Sequence, residues 1–302
     1  MEYSIYKLEF STGVHFGTGM LNDSDFVFSS DQLFSALYIE ALKLELEKEF
    51  YEEVQEERLL FSDLFPYLGD TYLIPKPILK AEDLSREALE AKKHFNKIRF
   101  LPAEQLDAFL AGKWLPDRNP AEQLGCFYQQ TMASVRQEGD TLPFHVGTYS
   151  FHKGNGLYFI LAHKGEKQKD LLETLLNSLS YSGIGGKKGS GLGKFNYFYG
   201  KHTDMITERM EQRTERKLLL STGLPTEEEM ETALEGASYR LEKRSGFIAS
   251  EQYADEFRKK KDLYVFASGS CFSHPFHGDI YDVSCGGAHP VYRCAKPLFM
   301  GV

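Results

Sequence analysis

The chain has 302 residues, of which 42% are hydrophobic and 14% aromatic, and its formal net charge is −9 at pH 7. This composition is that of a globular protein, and the length favours two domains, each able to bury its own core. No run approaches the roughly 20 apolar residues of a membrane span, and no secretory signal is evident at the N-terminus. We therefore expect a cytoplasmic protein without a membrane partner. The acidic total does not exclude RNA, because RNA binding requires only a local cationic track.

The cysteines and acidic residues do not indicate a metal or cofactor site. No two cysteines form a C-x-x-C pair, so neither a zinc site nor a disulfide framework is supported. The sequence also lacks the clustered Asp and His spacing of a catalytic metal site. We expect reduced thiols and no cofactor; the cysteines are Cys126, Cys271, Cys285 and Cys294.

The hydrophobic pattern of the first half predicts the order β-α-β-(insertion)-β-α-β. Ser29 with Gln32 forms a capping box that opens an amphipathic helix, which we expect to continue to about Glu57. Residues 81–140 are irregular and are interpreted as an insertion. This order predicts an α+β, ferredoxin-like domain over residues 1–205, with two helices on one face of an antiparallel sheet and the other face or the loops left for ligands. The predicted strands are 6–10, 71–74, 144–151, 157–163 and 195–199, and the second helix covers the leucines of 171–179.

The second half, residues 216–302, follows a polar segment at 201–215 that we interpret as a domain boundary. Thr226 and Glu229 form another capping box for a helix that ends by Gly236. Because only this helix is clear, we predict a second ferredoxin-like domain that is less regular than the first. The predicted strands are 217–222, 240–250, 263–272, 279–283 and 290–296.

A glycine-rich loop follows the second helix of the first domain. Residues 183–193 contain six glycines and the adjacent Lys187 and Lys188. Glycine lets backbone N–H groups approach a ligand closely, and lysine supplies a point charge for phosphate. The spacing fits neither a P-loop nor a dinucleotide fingerprint, which disfavours a nucleotide-binding enzyme. The loop therefore predicts contact with a phosphate-bearing ligand, and a flexible connector is the alternative.

Several segments in order give the chain a family likeness. They are residues 14–17, 30–37, 73–77, 181–188 and 289–293, with 243–247 and 267–270 in support. The chain resembles the RAMP-superfamily fourth subunit of the type III-A (Csm) CRISPR effector complex. The resemblance implies a non-catalytic subunit that holds the repeat-derived 5′ tag of the guide RNA. It also implies that the subunit links the large signalling subunit to the backbone RAMP subunit, with a thumb-like insertion within 81–147 near the target RNA.

Candidate RNA-binding residues come from the loop and from three other places. A single-stranded tag requires phosphate donors, cations and aromatic faces. His15, with the alternative of a purely local hydrogen bond, follows the first strand, and Lys76 stands between two prolines. His289 and Arg293 support either the RNA site or the interface between the halves. Phe195, Tyr197 and Tyr199 alternate along a strand, which favours core packing for at least one of its faces. The full set is His15, Gly17, Gly19, Lys76, Gly185, Gly186, Lys187, Lys188, Ser190, Gly191 and Arg293.

A metal-independent endoribonuclease is the alternative function, because relatives in the same superfamily process CRISPR transcripts. That chemistry needs a general acid and a general base at a 2′-hydroxyl. His15 near Lys187 or Lys188 would imitate it, but no second well-placed histidine accompanies His15 in the sequence. We therefore predict that the protein is not an enzyme.

Overall fold

The structure is a computed structural model that describes residues 1–79, 98–114, 116–135, 141–248, 250, 252–254, 256 and 258–302. The first half contains strands β1 Glu2–Phe10, β2 Leu59–Phe61, β3 Phe65–Leu68, β4 Thr71–Pro75, β5 Phe100–Pro102, β6 Gly125–Val135, β7 Thr141–Phe151, β8 Asn155–His163 and β9 Phe195–Tyr199. Its helices are α1 Ser30–Lys43, α2 Glu47–Gln55, α3 Leu106–Leu110 and α4 Glu166–Ser182.

The main sheet is antiparallel and has the order β5-β4-β3-β8-β1-β9, with β2 also paired to β8. Side chains alternate between its faces, as a strand requires. Tyr6 and Leu8 of β1 face a core that includes apolar residues of α1, α2 and α4, whereas Ile5 faces a second core. The central strand is thus buried on both faces.

Helix α1 begins at the predicted capping box and ends earlier than predicted. The Gln32 Oε1 atom accepts a hydrogen bond from the Ser29 N–H at 3.1 Å. The prediction of one helix to Glu57 is wrong, because α1 ends at Lys43 and Glu45 takes a left-handed conformation with φ of 60°. The break lets α2 turn Phe50 into the core.

Helix α5, Asp204–Glu211, precedes the second half, which contains α6 Met230–Leu234. Its strands are β10 Lys217–Leu219, β11 Leu241–Arg244, β12 Leu263–Phe266, β13 Cys271–Phe272, β14 Ile280–Asp282, β15 Tyr292–Cys294 and β16 Phe299–Gly301. They form a sheet of order β13-β10-β16 and the pairs β11-β12 and β14-β15. The described residues of this half do not show a four-stranded sheet with two helices, so a second ferredoxin-like domain is not confirmed.

The second half packs directly on the main sheet. Leu218, Leu220 and Met300 belong to the same hydrophobic cluster as Ile5 and Ile160. The predicted polar boundary at 201–215 contains α5, whose Ile206 and Met210 are buried in that cluster. The sheet face that the sequence left open for ligands is therefore covered, and among the described residues only loops and clefts remain for binding.

The insertion includes a long hairpin. Strands β6 and β7 pair over their full length, from Gly125 opposite Phe151 to Val135 opposite Thr141. Most side chains of β6 are exposed, Phe127 and Tyr128 among them. The hairpin extends beyond the predicted limit of 147, and the residues 136–140 that join its strands lie outside the described residues, as do 80–97.

Candidate nucleic-acid interface

The glycine loop is anchored at both ends. The Gly183 N–H donates to the Leu179 carbonyl at 2.7 Å and ends α4, while the Ile184 N–H donates to the Gly193 carbonyl at 3.0 Å. The Gly193 N–H in turn donates to the Gly13 carbonyl at 2.9 Å, and Ile184 is fully buried. This closed geometry argues against a flexible connector.

His15 joins the loop to the end of β1 and to the hairpin. Its carbonyl accepts a hydrogen bond from the Gly186 N–H at 2.8 Å, and its Nδ1 lies 2.7 Å from the Gly147 carbonyl oxygen. Because a carbonyl only accepts, Nδ1 carries the proton in this bond. A Cβ on Gly186 would lie 2.6 Å from the His15 Cδ2 atom. His15 is only 8% exposed, so its position supports the loop and matches the local hydrogen-bonding alternative.

Lys187 and Lys188 lie at the tip of the loop. Lys187 has φ of 58°, and its Nζ atom lies 4.9 Å from the centroid of the Phe144 ring on β7. Lys188 is half-buried, and burial lowers the pKa of its ammonium group. Ser190 is exposed, and its N–H donates to the Lys187 carbonyl at 2.9 Å. The tip therefore presents the Lys187 ammonium group close to an aromatic ring and the half-buried Lys188 beside it in the chain.

One face of the hairpin begins beside this loop. Directly opposed residues of an antiparallel pair share a face, so Phe144, opposite Met132, lies on the same face as Tyr128, four residues before Met132. A Cβ on Gly13 would lie 3.0 Å from the Tyr128 hydroxyl. We call residues 185–191 together with Tyr128 and Phe144 the loop–hairpin surface. Sequence reasoning missed the two aromatic residues, although their alternation along the strands is the signal that marks them.

The remaining candidates lie apart from this surface. Gly17 and Gly19 are exposed in the segment between β1 and α1, and a Cβ on Gly17 would lie 3.3 Å from the His15 Nε2 atom. Lys76 lines a separate cleft, which also contains Phe16 and Gly17. The side chain of Phe16 touches Gly185 from the other side, since a Cβ there would lie 2.8 Å from its Cδ1 atom. Phe16 therefore stands between the cleft and the glycine loop.

Arg293 lies in the interior, away from the loop–hairpin surface. It is 6% exposed and forms an ion pair with Asp31 of α1, which also pairs with Arg244 at 2.6 Å. Burial alone would raise the pKa of Asp31, but the two guanidinium groups hold it below its ordinary value. This placement supports the interface between the halves and not RNA contact by Arg293. His289 is exposed, and its Nε2 lies 2.9 Å from the Ser250 hydroxyl.

The described residues do not assemble a metal centre. No group of three or more His, Cys, Asp or Glu side chains there could hold a metal ion. Among the same residues, no helix has the length and apolarity needed to cross a membrane.

The aromatic strand β9 is buried at one end. Phe195 is buried in the core, as favoured from the sequence, whereas Tyr199 is half exposed.

Comparison with known proteins identifies the family. The chain is 39% identical over 307 residues to the "CRISPR system Cms protein Csm4" of Mycobacterium tuberculosis (strain H37Rv), covering 100% of this chain and 98% of that protein. It is 34% identical over 312 residues to the protein of that name from Streptococcus thermophilus, covering 99% of this chain and 98% of that protein. The chain belongs to the Csm4 family. The family described as "CRISPR Csm4 C-terminal domain" also matches residues 212–302.

Solved structures of Csm4 proteins share the fold of this chain. The Csm3-Csm4 subcomplex of the type III-A CRISPR-Cas interference complex contains a chain that matches with a TM-score of 0.67 at 17% identity, covering 100% of this chain and 99% of that one. A chain of the Csm1-Csm4 cassette in complex with pppApA matches with a TM-score of 0.63 at 18% identity, covering 99% and 97%. The predicted resemblance to the fourth Csm subunit is thereby confirmed.

Proposed function

We propose that this Csm4-family chain is a non-catalytic subunit that binds the repeat-derived 5′ tag of the guide RNA in a type III-A CRISPR complex. The observation that carries the proposal is the loop–hairpin surface. It combines the glycine-rich backbone of residues 185–191, held in place by the Gly186 N–H bond to His15, with the ammonium groups of Lys187 and Lys188 and the rings of Tyr128 and Phe144.

Each component suits single-stranded RNA. Backbone N–H groups in a glycine-rich concavity and lysine side chains bind phosphate, and aromatic rings stack on unpaired bases for about 1–3 kcal/mol each. No Asp or Glu occurs from Thr174 to Thr203, so the strand and loop add no carboxylate that would repel the backbone. Ser190 is exposed within this surface, and we assign Gly17 and Gly19, which are exposed in the segment between β1 and α1, as further RNA contacts outside it.

The partners follow from the family and from the fold. The related Csm4 chains were solved with Csm3 and with Csm1, and we assign to this chain the same two protein partners, a backbone subunit and the large signalling subunit. The hairpin β6–β7 projects from the sheet and is the candidate for the thumb near the target RNA. A cytoplasmic location accords with such a complex.

The first half is assigned a ferredoxin-like topology. Its elements run β1, α1, β3, β8, α4, β9, the β-α-β-β-α-β order of that fold, with strand order β3-β8-β1-β9 and with α1 and α4 packing in one core. We place the division of the chain between residues 205 and 216. The two halves share the hydrophobic cluster described above across that division.

The test is the affinity of the full chain for guide RNA that carries its natural 5′ tag, compared with RNA of equal length whose tag is scrambled. The proposal predicts a clear preference for the natural tag and RNA that stays intact during the assay. Equal affinity for the two RNAs would overturn tag binding, and specific cleavage at one repeat position would establish the nuclease instead.

A further inference from the structure

Strand β9 forms one edge of the main sheet and pairs there only with β1. The Ser11 N–H donates to the Lys194 carbonyl at 3.0 Å, and the Gly200 N–H donates to the Ile5 carbonyl at 2.7 Å. Opposed residues of an antiparallel pair are hydrogen-bonded to each other only at every second position. The residues between these positions therefore point their N–H and C=O groups away from β1. These outward residues are Phe195, Tyr197 and Tyr199.

The outward backbone groups of β9 are open to a further strand. None of them forms a backbone hydrogen bond with another residue in the described part of the chain. Tyr197 is half-buried and Tyr199 is half exposed, so this edge reaches the molecular surface. A row of unpaired N–H and C=O groups at a sheet edge is a template onto which another extended segment can add.

The sequence of β9 lacks the features that protect a strand edge. Natural edge strands are often short, or carry charged side chains or proline, which discourage pairing with other chains. The opposite edge strand of the sheet, β5, has only three residues and ends in Pro102. Strand β9 has five residues, of which four are aromatic and none is charged, and aromatic residues favour strands. This difference favours pairing of β9 with another chain.

A cavity lies alongside this edge, between β9 and the last turns of α4. Its volume is about 310 Å³, enough to receive side chains of an added strand. Asn177, Ser180 and Tyr181 of α4 line it, and the Tyr181 side chain is 77% exposed. Because successive side chains of a strand point to opposite faces, every second side chain of a segment paired with β9 would point toward α4 and this cavity.

The cavity presents a cation and amide donors. Lys194 is exposed at its rim, and Asn177 and Asn196 line it with side-chain amides that can donate hydrogen bonds. Among the described residues that line the cavity, none is Asp or Glu. Glu173, one turn before Asn177 on α4, already accepts a hydrogen bond from the Tyr199 hydroxyl. The cavity therefore suits the carboxylate of an incoming side chain.

We propose that β9 is paired, in the assembled complex, with an extended acidic segment of a neighbouring protein subunit whose carboxylate enters the cavity beside Lys194. This inference rests on the proposed function, because it requires the protein partners assigned there. Backbone hydrogen bonds to the outward groups of β9 supply affinity, and the cavity supplies specificity, as in other cases of strand addition.

A polypeptide fits this edge better than RNA does. The outward groups of β9 alternate between N–H donors and C=O acceptors, and an extended polypeptide offers the complementary donor and acceptor at each position. A phosphate oxygen only accepts hydrogen bonds. It would satisfy the N–H groups of Tyr197 and Tyr199 and leave their carbonyl oxygens without a partner.

The test is amide hydrogen exchange, resolved to single residues, for the chain alone, the chain with guide RNA, and the complete complex. In the complete complex, the amides of Tyr197 and Tyr199 should exchange at least about tenfold more slowly than in the free chain, since exchange then requires opening of a hydrogen bond. The amides of Asn196 and Phe198 point toward β1 and should already be protected in the free chain, so they serve as the internal reference.

Two pairs of variants separate the backbone contact from the charge. Y199P removes an outward N–H, whereas Y199A removes the same side chain and keeps that N–H. Y199P should weaken binding of the subunit that protects β9 about fivefold more than Y199A does, the effect of one hydrogen bond. K194E should also weaken this binding about fivefold, the effect of one exposed ion pair. K153E, which reverses an exposed cation in the turn between β7 and β8, should not change it.

Three results would overturn the proposal while the proposed function stands. The first is equal exchange of the outward amides in the free chain and in the complete complex. The second is protection by guide RNA alone, which would place RNA at this edge. The third is protection in the free chain that increases with its concentration, which would place a second copy there. A chain that does not assemble with the neighbouring subunits at all would contradict the proposed function itself.

Discussion

The N–H of Gly186 donates a hydrogen bond of 2.8 Å to the carbonyl oxygen of His15, although 171 residues separate them in the chain. The His15 ring in turn bonds to the Gly147 carbonyl. The end of β1, the glycine loop and the hairpin are thus held together by one residue. The loop–hairpin surface is consequently preorganised, which under the proposed function would reduce the entropy lost on RNA binding.

The packing of the loop against His15 and Phe16 requires glycine at position 185. Its φ is 86°, and a Cβ there would lie 2.7 Å from the His15 carbonyl oxygen and 2.8 Å from the Phe16 ring. We expect G185A to destabilise the chain by about 1–3 kcal/mol and to lower the melting temperature by several degrees.

The matched control is G189A in the same loop. Nothing lies within 4 Å of the Cβ position of Gly189, so its melting temperature should stay close to that of the wild type. Equal melting temperatures for G185A and G189A, measured by calorimetry, would show that the loop is not packed as described.

The two lysines of the loop should bind RNA phosphates. We expect K187A/K188A to weaken binding of tag RNA and to reduce the slope of log affinity against log salt by about 0.7 for each phosphate that the variant no longer neutralises. The control is K48A/K153A, which removes the same charge from exposed positions elsewhere. If both double variants change the slope equally, the lysines act only through net charge.

The buried ion pairs of Asp31 should make a large contribution to folding. D31N would leave Arg293 and the mostly buried Arg244 without their carboxylate, and removing one partner of a buried pair typically costs about 3–5 kcal/mol. The control is E49Q, because Glu49 pairs with Lys167 at 2.8 Å on the surface. The E49Q change should cost less than about 1 kcal/mol in denaturant unfolding. Similar costs for the two variants would contradict the role of Asp31 in joining the halves.

We predict that the free energy of unfolding depends on pH through the buried carboxyl group of Asp63. Burial raises the pKa of Asp63 to about 6. An acid whose folded-state pKa is raised stabilises the fold below its unfolded pKa, and this contribution is lost as pH rises through the folded pKa. The free energy of unfolding of D63N minus that of the wild type should therefore increase by about 2 kcal/mol between pH 4 and pH 7. A difference that does not vary with pH would show that Asp63 titrates normally.

Much of the first half could be predicted from local pattern. The alternation of Tyr6, Leu8 and Phe10 and the capping box at Ser29 depend only on neighbours in the chain, and both were recovered. The break after Lys43 was missed because no glycine or proline marks it, and Glu45 adopts the left-handed conformation instead. Strands β2 and β3 were missed because they are short and gain their stability by pairing with β8.

The site was only partly accessible to sequence reasoning. The glycines and lysines of the loop indicate phosphate binding from the sequence alone. The role of Arg293, by contrast, depends on Asp31, which is 262 residues away in the chain. Likewise, the polar sequence of residues 201–215 predicts a boundary, although Ile206 and Met210 bury one side of α5 there. Tertiary packing, which local composition does not encode, decided these cases.

The central claim is tested most directly by crosslinking. The chain would be co-expressed with guide RNA and its neighbouring subunits, and the RNA crosslinked to it would be sequenced. Our account predicts that crosslinks concentrate in the repeat-derived 5′ tag, that they map to residues 185–191, Tyr128 and Phe144, and that the RNA stays intact. RNA cut at one repeat position, with cutting lost in H15A, or crosslinks spread evenly along the guide, would contradict it.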